Sequence, residues 1–242
     1  MAYRSSSANS AESSATALTT TVPAGAATDD IAIVCASYDD PSVTFTWDAG
    51  FTELYDQTMT ADGHRFGCAW KRLTGADSGN YTATINSAPG ARGWVVQAAL
   101  FSGRHTTNPP VGSTIAVNNS GNSSPISVAA NGVTAVAGDD LCWIGGLDVT
   151  SAGVGNGCAA PTSFTERQDT EGGGGALWSN MSIATWDNVS AGATGTITGT
   201  YSLSSGTAGW VAVLIRIPAA GGAAATSIVP LRRPTRFFPR RY

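Results

Sequence analysis

The sequence predicts an all-β protein, namely a jelly-roll-like antiparallel β-sandwich built from two similar halves. Three observations favour this fold class. Charged residues make up only 12% of the chain, which also holds 29 glycines, so long solvated helices are disfavoured and short strands joined by tight turns are expected. Apolar residues alternate with polar ones over short stretches, as in strands with one buried face. The pattern of the first half then returns in the second half in the same order.

The internal repeat rests on short motifs that combine apolar strand positions with turn residues. The spacing between matched motifs grows in small steps where turn residues cluster, as expected for one strand series with different loop lengths. The matched positions carry no reactive constellation, so the repeat favours a scaffold over an enzyme. The matched motifs are Asp29-Asp30-Ile31 and Asp139-Asp140-Leu141, Phe51-Thr52-Glu53 and Phe164-Thr165-Glu166, Trp70 and Trp186, residues 81–85 and 197–201, and Gly93-Trp94-Val95 and Gly209-Trp210-Val211.

In the first half, a small-polar lead-in over residues 1–16 precedes the alternating pattern. Pro23-Ala24-Gly25 and Asp48-Ala49-Gly50 are typical of turns. The nearly continuous apolar run 31–36 suits a strand covered on both faces. After the alternation that begins at 17–22, the sequence predicts strands over 31–36, 43–47, 51–55, 65–73, 81–85 and 93–101.

The second half follows an irregular crossing over 106–124, which contains one short predicted strand at 115–117. We expect one sandwich over 17–218, made of repeats at about 17–105 and 126–218. Residues 219–242 form a linker of small residues and a basic tail. The predicted strands of the second repeat cover 141–147, 164–168, 176–186, 195–203 and 210–217.

The C-terminal tail differs electrostatically from the rest of the chain. It holds five of the 13 basic residues and no acidic residue, so residues 1–229 carry eight basic against 17 acidic side chains, a formal charge of −9. Its prolines forbid a regular helix, so we expect an extended segment whose aromatic side chains enter pockets on another surface; the alternative is a disordered basic tail. The predicted partner-binding residues are Arg232, Arg233, Arg236, Phe237, Phe238, Arg240, Arg241 and Tyr242.

Residues for catalysis or metal binding are sparse. His64 and His105 lie in different segments and belong to no metal-binding or triad pattern, and the chain has no GxSxG elbow and no phosphate-binding loop. We therefore predict no enzyme activity, no catalytic residue, no metal and no cofactor. The pairs Asp29-Asp30, Asp39-Asp40 and Asp139-Asp140 could bind calcium, but aspartates before a buried strand are more typical of turns.

The four cysteines, Cys35, Cys68, Cys142 and Cys158, lack the CxxC spacing of a metal knuckle or redox pair. We interpret them as buried reduced thiols rather than disulfides, because assembly in a cytoplasm disfavours oxidation.

The seven tryptophans raise the alternative of a carbohydrate platform. Trp94, Trp210, Trp70 and Trp186 are repeat equivalents within apolar strands, so we predict that they belong to the core. The remaining candidates for exposed contact lie near turns and are Trp47 and Trp178.

Membrane and nucleic-acid partners are not expected. The chain has no apolar run of about 18 residues, and its N-terminus lacks the apolar centre of a secretory signal, which predicts synthesis in a cytoplasm. The basic tail could neutralise phosphates, but the acidic body would be repelled by a polyanion.

A series of motifs runs through the first half of the chain. These motifs are Thr-Val-Pro-Ala-Gly at 21–25, Asp29 to Val34, Gly50 to Leu54, Ala69 to Leu73, Tyr81 to Thr84, Ala98 to Gly103 and Thr107 to Pro110. Together they resemble a β-sandwich module common in tailed-phage virion proteins and bacterial surface proteins. The resemblance covers about residues 17–218. In that family the module is typically a non-catalytic structural or adhesive unit.

The resemblance implies a non-enzymatic bacteriophage virion protein, located in the virion and most simply a capsid decoration that stabilises the shell. Its expected partners are the major capsid protein or other virion proteins. A homo-oligomer is expected, a trimer by analogy with other sandwich decorations. Two alternatives stay open: a tail or baseplate adhesion module that binds a host glycan, and an accessory domain of a bacterial surface enzyme.

Overall fold

A computed structural model describes residues 3–59, 63–87, 90–149, 157–174, 177–203 and 206–220 of the chain. Of these residues, 63% lie in strands and none in a helix. The first half contains β1 (Tyr3–Ser13), β2 (Ala17–Thr21), β3 (Ile31–Tyr38), β4 (Phe45–Trp47), β5 (Thr52–Met59), β6 (His64–Arg72), β7 (Asn80–Ile85) and β8 (Arg92–Phe101).

The second half repeats this series with three additional two-residue strands. Its strands are β9 (Val111–Gly112), β10 (Ala116–Ser123), β11 (Ile126–Ala130), β12 (Thr134–Ala135), β13 (Asp140–Val149), β14 (Cys158–Ala159), β15 (Thr165–Gly174), β16 (Leu177–Trp186), β17 (Gly192–Ala193), β18 (Ile197–Tyr201) and β19 (Thr207–Ile217).

The two halves have the same sheet topology. The first half pairs its strands in the order β1-β8-β3-β6-β5 in one sheet and β2-β7-β4 in the other, and the second half in the orders β10-β19-β13-β16-β15 and β11-β18-β14. Every pairing within these sheets is antiparallel. The predicted fold class, an antiparallel β-sandwich built from two similar halves, is therefore confirmed.

Each half forms its own sandwich, and the two sandwiches pack through their larger sheets. The larger sheet has five strands in the first half and six in the second, where β9 also pairs with β19. One apolar cluster fills the first sandwich and a second fills the other. A third cluster lies between the two larger sheets and draws on both halves. Strand β1 packs over β15, and β10 packs over β5, as an approximate two-fold relation between the halves requires. We call the contact between the two larger sheets the joint.

The pairing register shows which residues of the halves are equivalent. Trp94 pairs with Tyr38, and Trp210 pairs with Leu147 at the corresponding place in the second sheet. Both indoles face the interior of their own sandwich, although Trp210 is the more exposed of the two. The predicted equivalence of Trp94 and Trp210 is confirmed.

The match between Asp29-Asp30 and Asp139-Asp140 is wrong by one residue. The Asp30 carboxylate accepts the Ala27 amide and the Asp139 carboxylate accepts the Val136 amide, so Asp30 corresponds to Asp139. The preceding residues, Asp29 and Gly138, both have positive φ, 66° and 88°. Asp140 consequently occupies the place of Ile31. Side chains alternate between the two faces of a strand. The predicted alignment therefore matched each motif residue with one whose side chain points to the opposite face.

The predicted equivalence of Trp70 and Trp186 is also wrong. Trp186 pairs with Leu141, and in the first half Lys71 pairs with Ala32, the counterpart of Leu141. Trp186 therefore corresponds to Lys71. Trp70 packs in the joint, whereas Trp186 packs against the interior of the second sandwich. Trp70 and Trp186 are both partly buried and pack against apolar clusters, as predicted. They do not occupy equivalent positions in the two halves.

The segment predicted as a lead-in, residues 1–16, contains an edge strand instead. Strand β1 pairs with β8 along its whole length, from Tyr3 opposite Phe101 to Ser13 opposite Arg92. It was missed because its small polar side chains lack apolar alternation; they bond across to the backbone near β2, as Ser7 Oγ does to the Thr21 carbonyl at 2.5 Å. Its counterpart β10 lies in the segment expected to be an irregular crossing, where it overlaps the short strand predicted at 115–117 and extends to Ser123.

Candidate functional site

The eight predicted attachment residues, Arg232 to Tyr242, lie outside the described residues. The described residues nevertheless show at which end of the molecule the first and last described residues lie. Tyr3 pairs with Phe101, and three residues further on Arg104 forms a bridge with Ala219. Both ends of the described chain therefore lie at the same end of the molecule, which we call the terminal pole. The opposite end, which we call the loop pole, comprises residues 38–40, His64, Arg92 and Asp148.

The terminal pole carries the exposed large apolar side chains found among the described residues. These are Val111 and Val136, which are 46% and 55% exposed. Val111 pairs with Arg216. Val136 and Arg216 in turn line a cavity of about 270 Å³ together with Ala219 and Ala220, the last described residues. The last described residues therefore lie beside an exposed valine and a cavity whose lining also includes His105, Asp139 and Arg216.

Carboxylates at the terminal pole are engaged in turns and ion pairs. Asp30 binds Arg4 at 2.9 Å, and its counterpart Asp139 binds Arg216 at 3.2 Å. Asp140, which is fully buried, binds Arg104 at 2.9 Å. Burial raises the pKa of Asp140 to about 6, while the Asn188 amide and Arg104 act in the opposite direction. The interpretation as turn residues holds for Asp30 and Asp139, whose carboxylates accept the amides of Ala27 and Val136. It is wrong for Asp140, which lies within β13 and forms a buried ion pair.

A second cavity at this pole belongs to the second sandwich alone. It has a volume of about 240 Å³ and is lined by Trp186, Val189 and the segment from Ser190 to Thr194. In the first sandwich the counterpart of Trp186 is Lys71, whose Nζ lies 2.8 Å from Asp77 and 5.7 Å from the centre of the Phe51 ring. An ion pair thus occupies in one half the place that an indole occupies in the other.

At the loop pole, three ionisable side chains from both halves meet within the joint. His64 Nδ1 lies 2.6 Å from Asp148 Oδ1 and 3.3 Å from Asp39 Oδ1. All three side chains are buried, with at most 7% exposed. Burial raises the pKa of Asp39 to about 6; His64 and Arg92 oppose this rise, while Asp148 and Asp40 add to it. Because the imidazole is enclosed, it has no access to a substrate.

The two carboxylates of this cluster are equivalent in the repeat. The Asp39 amide donates to the Gly93 carbonyl at 3.0 Å, and Asp148 pairs with Gly209, the counterpart of Gly93. His64 corresponds to Ser179, which pairs with Asp148 and donates to Ser37 at 2.6 Å. Sequence inspection could not find the cluster, because its members come from separate segments and no local motif joins them. An alignment that placed Asp30 on Asp139 would have matched Asp39 to Asp148.

The remaining candidates have structural environments. His105 Nδ1 accepts the amides of Thr107 and Asn108 within a turn. Trp47 is half-buried and donates to Glu53 at 3.3 Å, whereas the side chain of Trp178 lies outside the described part. No group of three or more His, Cys, Asp or Glu residues in the described ranges is arranged to hold a metal ion.

All four cysteines are buried free thiols, as predicted. Cys35 and Cys68 face each other across β3 and β6 with their Sγ atoms 3.1 Å apart. Burial raises the pKa values of Cys35 and Cys142 well above the usual thiol range, which leaves these groups uncharged and unreactive.

Searches against protein families, curated proteins and solved structures returned no match. The described residues include no helix long and apolar enough to cross a membrane.

Proposed function

We propose that this protein is a non-enzymatic structural component of a bacteriophage virion, which decorates and stabilises the capsid and attaches through its terminal pole. The observation that carries the proposal is the position of the chain ends. Both ends of the described body lie at one pole, beside Val111, Val136 and the cavity that Ala220 lines. A body held at that pole presents its opposite end to the medium.

Charge and rigidity support the same role. The tail of this chain is basic and the remainder acidic, so Arg side chains of the tail suit carboxylates on a neighbouring shell subunit. The body consists of two sandwiches joined by a continuous apolar cluster, which suits it to bridge neighbouring subunits. The proposed partners are the major capsid protein or other virion proteins, and a second copy of this chain in a homo-oligomer.

A tail or baseplate adhesion role is the second candidate. The observation in its favour is the cavity beside Trp186, because an indole and nearby hydroxyl groups suit a neutral sugar ring. The first sandwich lacks this arrangement, since Lys71 and Asp77 occupy the corresponding place.

Binding of the purified protein to undecorated phage particles tests the attachment proposal. Deletion of residues 230–242 should abolish most binding, and added salt should weaken binding partly, since salt screens the Arg contacts but not the aromatic contacts. Val136→Ser at the terminal pole should weaken binding further, whereas Ser87→Ala, an exposed change at the loop pole, serves as the matched control.

Two outcomes would contradict the attachment proposal. Undiminished binding of the truncated protein would remove the tail from the attachment site. Binding of the intact protein to host cells or polysaccharide instead of particles, weakened by Trp186→Phe, would establish the adhesion role in its place.

A further inference from the structure

We propose that Asp39, His64 and Asp148 form a proton-operated clamp, which draws the two sandwiches together at the loop pole when the pH falls. The clamp lies in the joint and not at the terminal pole. The proposal therefore does not depend on the virion role or on any partner.

The approximate two-fold relation between the halves brings two carboxylates to one place. Asp39 follows β3 and Asp148 lies in β13, and these two equivalent positions face each other across the joint. Both carboxylates approach the same imidazole nitrogen, His64 Nδ1, at 3.3 and 2.6 Å. One N–H group cannot fully satisfy two carboxylates, and like charges held this close repel each other.

The surrounding charges do not remove this conflict. Among the described residues, the ionisable groups that act on Asp39 are His64, Asp148, Arg92 and Asp40. Two ionised carboxylates around one imidazole leave an excess of negative charge in a buried site, whichever form the imidazole has. Burial of such charge is costly, so the cluster is best accommodated when one carboxyl group carries a proton.

Asp39 is the group that takes up this proton. Burial raises its pKa to about 6, above the ordinary aspartate value of 3.8 that applies in the unfolded chain. A group whose pKa is raised by folding stabilises the folded state fully below its unfolded pKa, and this stabilisation disappears as the pH rises through about 6. Acidification from pH 7.5 to 5 therefore favours folding and relieves the repulsion across the joint.

The first experiment compares urea unfolding of the whole protein with that of Asp39→Asn, in which the neutral amide imitates the protonated acid. Linkage with the shifted pKa predicts that Asp39 raises the folding equilibrium constant about tenfold between pH 7.5 and 5. The variant should lose this tenfold gain. Asp140 titrates in the same range but is present in both proteins, so the difference between them isolates Asp39.

Glu12→Gln is the matched control, because Glu12 is an exposed carboxylate on the edge strand β1. It should retain the full pH dependence of the wild type. An unchanged pH dependence in Asp39→Asn would overturn the proposal.

Hydrogen exchange distinguishes a clamp from a local proton-binding group. Protection factors of backbone amides on both sides of the joint at the loop pole, in residues 35–38 and 179–182, should rise together on acidification. Amides at the terminal pole should change less. A uniform change over the molecule, or a loss of protection at the loop pole, would refute the clamp.

Carboxyl NMR titration of the wild-type protein tests the mechanism without a substitution, so it remains valid even if Asp39→Asn fails to fold. The Asp39 carboxyl resonance should titrate near pH 6, and the His64 ring resonances should respond at the same pH. A value for Asp39 near that of an ordinary surface aspartate would exclude the mechanism.

Discussion

The two halves share their strand order but differ in how they fill equivalent places. Where the first sandwich has Ile31, the second has buried Asp140 with Arg104; where the first has Lys71 and Asp77, the second has Trp186 beside an open cavity. The sheet topology is retained through all these exchanges. Strand order and the apolar faces therefore define the fold, while individual polar positions are free to diverge.

Divergence is also visible within the joint. Asp39 and Asp148 are chemically identical, but the partner position holds His64 in one half and Ser179 in the other. A strictly symmetric joint would contain two carboxylates and two identical partners. The asymmetry places one imidazole nitrogen, His64 Nδ1, within 3.3 Å of both carboxylates.

The largest expected effect concerns the buried ion pair that Asp140 of the second half forms with Arg104, which follows β8 of the first half. Arg104→Ala leaves Asp140 buried without its cation, which should cost about 3–5 kcal/mol of unfolding free energy at pH 7.5. The loss should be smaller at pH 5, because Asp140, with its pKa raised to about 6, is then mostly protonated. Urea unfolding at the two pH values measures both quantities.

Lys71→Met in the first half is the control for Arg104→Ala. Both members of the Lys71–Asp77 pair are partly exposed, so the change should cost less than about 1 kcal/mol. Equal costs for the two substitutions would show that burial does not distinguish the two ion pairs.

An intermediate effect is expected where the halves exchange a large and a small side chain. Trp143 corresponds to Val34, and Gly199, which lies against Trp143, corresponds to Ala83. A Cβ atom on Gly199 would lie 2.6 Å from the indole, so Gly199→Ala should cost about 1–3 kcal/mol in a denaturation experiment.

A double variant tests whether the Trp143 indole causes the cost of Gly199→Ala. Gly199→Ala should cost less in a Trp143→Val background than in the wild type, because the clash is then absent. Thr198→Ala, an exposed neighbour, should be nearly neutral. Additive costs in the double variant would show that Gly199 is required for a reason other than the indole.

The smallest expected effect concerns the turn that precedes β3 and β13. Gly138 has a φ of 88° and its counterpart Asp29 has a φ of 66°. Gly138→Val should cost about 1 kcal/mol because a β-branched residue is strained in this region, whereas Gly138→Asp should cost less, since aspartate tolerates it. Thermal melting of the two variants provides the comparison, and equal melting temperatures would argue against the equivalence of these turns.

Much of the fold could be predicted from the pattern of apolar residues. The runs at 31–36, 93–101 and 210–217 each lie within an observed strand, and the order of the motifs correctly indicates two similar halves. The edge strand β1 could not be found in this way, because small polar residues show no alternation and their pairing depends on a distant strand. Only the start of β10 was predicted, by the short strand at 115–117, since the polar residues that follow lack alternation too.

The site was less predictable than the fold. The attachment residues from Arg232 to Tyr242 stay a prediction based on charge and composition. The cluster of Asp39, His64 and Asp148 could not be found from any local motif, because its members come from three strands or their ends in two halves.

The sequence by itself determined the all-β class, the duplication and the separation of an acidic body from a basic tail, because composition and period-two alternation are properties of local segments. The strand pairing in the tertiary structure was needed to establish which residues of the two halves are equivalent. A shift of one residue in the alignment of the halves leaves the apolar pattern of a doubly buried strand unchanged but assigns every side chain to the opposite face. The pairing shows that Asp39 corresponds to Asp148 and that Trp186 does not correspond to Trp70.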